Sequence, residues 1–230
     1  MIKVLMVVSA ADHWTLNDGT HHPTGFWAEE LVTPYSVFTD AGWDVDVATP
    51  GGKAPVVDKA SLDDSAGDAD TLQEVKAQLE KLEPILSQPL NLADVNAADY
   101  DLVFYPGGHG PMEDLAVDET SGRILAERME NNAPVALLCH APAAVLATEN
   151  APGSSPFAGR KMTGFSNDEE RSAGFADKAP WLLEDRLVAL GADYEKAPEP
   201  WASYVIVDGN LYTGQNPSSS KELAERLVKD

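Results

Sequence analysis

The sequence of 230 residues has a single cysteine, Cys139. That excludes an intrachain disulfide, and it excludes structural zinc held by several thiolates. Bases are scarce. Sixteen Lys and Arg stand against 38 Asp and Glu, a formal net charge of −22. A surface of that sign repels nucleic acid and anionic membranes, so neither is expected as a partner. The acid excess reads as a solvated shell that favours solubility. Long uncharged apolar runs are also missing, and none approaches the roughly 18 residues of a membrane span. The opening Met1-Ile2-Lys3-Val4-Leu5 runs straight into a strand pattern. It lacks the apolar h-region and small-residue cleavage site of a signal peptide, so a cytoplasmic location is expected. No internal repeat or low-complexity tract is visible.

What remains is an ordinary globular composition, 43% hydrophobic and 23% charged, enough for one large α/β domain over residues 1–230. Strand and helix patterns alternate, which predicts a mostly parallel sheet with helices on both faces. Ile2 to Val8 is a continuous apolar run, as a strand buried on both faces requires. Phe26 to Thr39 reads as a helix kinked at Pro34 and stopped at Gly42. Asp44–Ala48, Leu102–Tyr105 and Pro134–Leu138 read as further strands. Glu119–Asn131, a segment starting near Ala141, Trp181–Leu190 and a last stretch from Ser219 or Ser220 to Lys229 read as helices. Tyr204–Val207 and Leu211–Thr213 flank a Gly-containing turn, a hairpin signal. Residues 55–97 break the rhythm. Leu72, Val75, Leu79 and Leu82 recur there at helical spacing, so the segment reads as a helical insertion, interrupted at Pro84 and Pro89.

Cys139 falls where a buried strand ends and a helix is expected to begin. Ligand sites of open α/β sheets lie outside the carboxyl ends of strands. A helix N-terminus there lowers a thiol pKa, and a sharp strand-to-helix turn exposes the side chain. The position marks Cys139 as a nucleophile. His140 follows directly, with general acid/base or structural capping as its alternatives. Tyr105-Pro106-Gly107-Gly108-His109-Gly110 closes the preceding strand. Its N–H groups, with that of His140, suit an oxyanion hole. It is not a phosphate loop, because no Gly-Lys-Ser/Thr follows. Glu29 and Glu30, early in the first helix, and Glu169 and Glu170, behind a Ser166 or Asn167 cap, read on their own as acids complementing helix dipoles. Adjacent His21 and His22 point apart in most backbones, and no metal site is expected from them.

Taken together, these segments resemble the ThiJ/PfpI branch of the class I glutamine-amidotransferase-like superfamily, and within it the stress-protein glyoxalase III (D-lactate dehydratase) subgroup. The likeness runs through Thr-Gly-Phe-Trp-x-Glu-Glu at 24–30, Pro-Gly-Gly-His-Gly at 106–110, Cys-His-Ala-Pro at 139–142, Thr-Gly-Phe-Ser-Asn at 163–167, and Asp-Gly-Asn-Leu-Tyr-Thr-Gly-Gln-Asn-Pro-Ser-Ser at 208–219. Ala141 departs from the Gly that many members carry there. The resemblance implies a flavodoxin-like α/β sandwich with Cys139 as nucleophile and Glu30 as the carboxylic acid against its sulfur. It also implies His140 as the triad histidine, Glu170 (with Glu169 as fallback) as the acid orienting it, and Gly108 and His140 as oxyanion donors.

The implied reaction converts methylglyoxal and related small α-oxoaldehydes to lactate or other 2-hydroxy acids, with no cofactor, metal or glutathione. Trp14, Trp27, His109 and Trp201 are the candidates to line the pocket. A homodimer is implied as well. Rival readings are a holding chaperone for unfolded clients, a cysteine hydrolase or deglycase, and a thiol oxidation sensor.

Overall fold

Val4 to Val8 are all completely buried, because the N-terminal strand lies inside the sheet with both faces covered. The computed structural model describes Met1 to Asp230. Strand β1 (Lys3–Val7) leads to a short hairpin, β2 (His13–Thr15) and β3 (His21–Pro23), then to helix α1 (Ala28–Asp40) and β4 (Asp44–Thr49). Helix α2 (Ala69–Leu86) precedes β5 (Leu90–Asn91) and β6 (Leu102–Tyr105). The one-turn α3 (Gly110–Glu113), α4 (Glu119–Glu130) and β7 (Val135–Leu138) follow. The last third holds β8 (Lys161–Met162), α5 (Asn167–Ser172), α6 (Leu183–Leu190), β9 (Asp193–Tyr194), β10 (Val205–Asp208), β11 (Leu211–Gly214) and α7 (Ser220–Lys229).

The central sheet has the order β10-β11-β7-β6-β1-β4-β5. Every pair is parallel except β10 with β11, the hairpin read from the sequence. Helices α1, α2 and α7 group together, and α3, α4 and α6 gather around residues 141–148. The sheet is sandwiched between the two groups. Its buried apolar side chains form one contiguous cluster.

Several elements differ from expectation. Residues 141–148 form a 3-10 spiral, not an α-helix. Their small side chains let α4 pack directly on them; a Cβ at Gly122 would sit 2.3 Å from Ala147 O. Pro84 lies in the last turn of α2 without interrupting it. The insertion is not purely helical, since β5 joins the outer edge of the sheet beside β4. The helices expected from Phe26 and Trp181 begin at Ala28 and Leu183.

The insertion also reaches back to the start of α1. That helix has no side-chain cap of its own. The Ala28 N–H instead donates to Ser61 Oγ at 3.1 Å. Around it Phe26 pairs with Val57, and Thr24 Oγ1 donates to Asp58 Oδ2 at 2.7 Å. Gly25 permits this approach, because a Cβ there would lie 1.8 Å from Val56 O. Elsewhere buried Arg128 ties the insertion to the sheet. Its guanidinium donates to the carbonyls of Ala97, Tyr100, Asp101 and Pro134 at 2.6 to 3.2 Å.

Candidate active site

β7 delivers Cys139 to the carboxyl end of the sheet with φ = 61°. A left-handed non-glycine residue costs of order 1–3 kcal/mol and persists only where its surroundings enforce it. Two backbone bonds do so here: Cys139 N–H donates to Gly214 O at 2.9 Å, and Phe165 N–H donates to Cys139 O at 2.8 Å. The strained turn sets Sγ 3.3 Å from His140 Nδ1. The adjacent strand, β6, ends in the Gly107-Gly108 turn. Gly107 donates its N–H to Glu30 Oε2 at 2.8 Å, and the Gly108 N–H favours the anionic form of the cysteine.

Glu30 projects from the first turn of α1 and is fully buried, and Cys139 is 3% exposed. The other oxygen of Glu30, Oε1, is sealed without a hydrogen-bond partner, and the carboxyl as a whole lies beside the Cys139 thiol. Burial pushes the Glu30 carboxyl well above its ordinary range, with the nearby sulfur and Gly107 N–H opposing. Burial, then the Glu30 carboxylate, push the thiol up too. The lowering expected from a helix N-terminus is therefore overridden. The physical content is that the pair holds on to a proton that separate, solvated groups would lose. With that proton on Glu30, the charge opposing a thiolate disappears, and the Gly108 N–H favours the anion.

His140, 1% exposed, places Nε2 2.7 Å from Glu170 Oε2. Burial and neighbouring His109 lower its pKa, although Glu170 works the other way. For Glu170, burial alone would raise the pKa, but the two imidazoles override it and hold the group well below the ordinary carboxylate range. These directions fit one arrangement: Glu170 ionised and His140 neutral, with Nε2–H on the carboxylate and the Nδ1 lone pair facing sulfur.

The choice between the two adjacent acids is settled by geometry. Ser166 caps α5 in a reciprocal capping box with Glu169. Glu169 Oε1 accepts from Trp201 N–H at 2.9 Å and Asn216 Nδ2 at 2.8 Å. Glu169 is thus occupied with the loop, and Glu170 alone meets His140.

Of the expected pocket residues, His109 is central. Its Nε2 lies 2.8 Å from Glu170 Oε1, and Trp14 stacks on its ring at 4.6 Å. Trp201, with φ = 68°, packs edge-on against Phe165, whose ring lies 4.3 Å from that of His140. Trp27 precedes α1 and donates its N–H to Gly107 O at 3.0 Å. Its side chain makes no aromatic contact with the site. His21 and His22 occupy β3, where His21 stacks on His13 and His22 meets Phe175 at a tilt of 56°. The sequence reading missed Phe165 and Phe175 as site walls and Gly107 as the glutamate anchor. The Nε2 atoms of His109 and His140 and a Glu170 oxygen lie within 4.8 Å of one another, a spacing that metal ions accept. Each is already satisfied by the others through hydrogen bonds.

A cysteine on a strained turn at the carboxyl end of a parallel sheet, beside a buried acid from the first helix, is the arrangement of the class I glutamine-amidotransferase-like type of α/β protein. Within it, the chain belongs to the DJ-1/PfpI family, which it matches over residues 23–230. It is similar to glyoxalase 3 of Candida albicans, with 28% identity over 99% of this chain and 98% of that one. The glutathione-independent glyoxalase hsp3101 of Schizosaccharomyces pombe is 30% identical over 99% of this chain and 95% of its own. Among solved structures, Rapid Encystment Protein 24 kDa of Francisella tularensis superimposes with a TM-score of 0.86 at 31% identity, covering 100% of this chain and 98% of that one. No helix is long and apolar enough to cross a membrane.

Proposed function

We propose that the protein is a glutathione-independent glyoxalase that converts methylglyoxal and similar small α-oxoaldehydes to 2-hydroxy acids on Cys139. The observation that carries this reading is the position of the sulfur between a proton-retaining carboxyl, Glu30, and the basic Nδ1 of His140. The names of the full-length relatives point the same way.

The chemistry follows from that placement. Sγ attacks the aldehyde carbon C1, and the thiol proton passes to the aldehyde oxygen, giving a hemithioacetal. His140 Nδ1 then removes the C1 proton. The C–H electron pair forms a C1–C2 double bond as the C2 carbonyl becomes an enediolate oxygen. Gly108 N–H and the backbone N–H of His140 serve the developing oxyanion. Reprotonation at C2 and loss of the C1 hydroxyl proton leave a thioester. Water attacks C1, the C–S bond breaks, and lactate and the free thiol are released. Glu30 donates to sulfur throughout, and Glu170 keeps His140 in the Nε2–H tautomer. A thiol only 3% exposed favours small aldehydes over protein-sized adducts.

The test is lactate formation from methylglyoxal without glutathione, by wild type, Cys139→Ala and Glu30→Gln. Turnover lost in both variants supports the assignment. A folded, reduced wild type that makes no lactate sinks it and leaves chaperone or hydrolase activity.

A further inference from the structure

The catalytic carboxylate serves two histidines. Glu170 receives His140 Nε2 on one oxygen at 2.7 Å and His109 Nε2 on the other at 2.8 Å. The two imidazole rings lie 4.1 Å apart, tilted by 40°. Trp14 lies nearly parallel to His109 at 4.6 Å, and Phe175 closes on it at 5.2 Å. The preceding residue is Gly108, whose N–H favours the anionic form of Cys139. His109 therefore sits on the backbone segment that serves the nucleophile and on the carboxylate that serves the base.

The two histidines differ in their access to water. His140 is 1% exposed, with one nitrogen on Glu170 and the other beside sulfur. His109 is 9% exposed. Its Nδ1 has no protein partner, and unlike Glu30 Oε1 it is not closed off from water.

We propose that His109 is a positioning residue of the catalytic machinery: through the shared Glu170 carboxylate it fixes His140 with Nδ1 toward sulfur. Burial and the His109 ring 4.1 Å away both oppose a proton on His140, so His140 resists protonation as pH falls. The ionisable groups around the two rings are Glu170 and Glu169 from α5, Cys139 with Glu30 of α1 behind it, and His22 from β3. Trp14, Phe165 and Phe175 supply the neutral walls. The role deepens the glyoxalase reading, since there His140 must be unprotonated to take the C1 proton.

The experiment follows the pH dependence of Cys139 alkylation by iodoacetamide, which is specific because the chain has no other cysteine. His109→Phe keeps the stacking and removes the donor. His109→Gln keeps a donor without a charge. The limb governed by His140 is expected to move up by about one pH unit in His109→Phe and by less in His109→Gln. Profiles superimposable on wild type in folded variants would overturn the proposal and leave His109 as packing. NMR of histidine-labelled protein gives a second readout: loss of the Nε2–H tautomer of His140 in His109→Phe supports the role, and an unchanged tautomer refutes it. Alkylation and NMR need no aldehyde. Failure to form lactate would therefore count against the substrate assignment alone.

Discussion

Gly107 donates its N–H to Glu30 at 2.8 Å and leaves no room for a side chain between that acid and Cys139. A Cβ at Gly107 would lie 2.5 Å from Leu138 O, 2.6 Å from Glu30 Oε2 and 2.9 Å from Cys139 Cβ. Two of these neighbours are held by β7 and the elbow, so the glutamate has to yield. Gly107→Ala is expected to lower kcat/KM for methylglyoxal by about 100-fold, the usual penalty of an ångström-scale misplacement. Steady-state kinetics beside a thermal melt would check this.

Glu30 should show a trade between stability and catalysis. Its folded-state pKa is raised by burial, so the charged form is worse off in the folded protein than in the unfolded chain. This cost is absent below the ordinary carboxylate pKa and grows as pH rises toward the folded value. Glu30→Gln removes the charge and keeps an acceptor for Gly107. It should therefore raise Tm relative to wild type at pH 7, show little gain near about pH 4, and abolish turnover. Equal Tm differences at both pH values would contradict the buried-acid description.

The adjacent acids should separate in opposite ways. Glu170→Gln removes the group that orients His140, so kcat is expected to fall by about 10² to 10⁴. Because the folded-state pKa of Glu170 is depressed, its stabilising contribution is present above the ordinary carboxylate pKa and fades as pH drops below it. The Tm deficit of Glu170→Gln should shrink in acid accordingly. Glu169→Gln, which disturbs the Ser166 cap, Trp201 and Asn216, should chiefly lower Tm. Kinetics and pH-dependent melts of the pair would expose a swapped assignment.

Arg128→Met leaves four carbonyls without their shared donor. A loss of about 3 kcal/mol in urea unfolding is expected, with near-normal activity of the folded fraction. A loss below about 1 kcal/mol would mean that water replaces the guanidinium.

Much of this site could be read from residue order alone. Cys139 at the end of an apolar strand and paired glycines at the end of its neighbour mark the carboxyl edge of a parallel sheet. Glu30 carried no such mark, because a glutamate in a first helical turn normally serves the dipole; its role came from resemblance. For Glu169 and Glu170 the sequence held a real ambiguity. A cap at Ser166 puts Glu169 in the capping box, whereas a cap at Asn167 puts Glu170 there, and the structure selects the first. The shared use of Glu170 by His109 had no signal in spacing, since it joins residues 61 apart. The β2–β3 hairpin and β5 were invisible because strands of two or three residues show no periodicity.

The Ser61 contact gives the insertion a mechanical meaning. The acid beside the nucleophile rides two residues beyond Ala28, and Ala28 is the residue that Ser61 holds. A segment of the insertion, with Asp58 and Ser61 buried, thus acts as a brace for the helix end that carries Glu30. Changes in residues 55–62 would loosen Glu30 without touching an active-site residue.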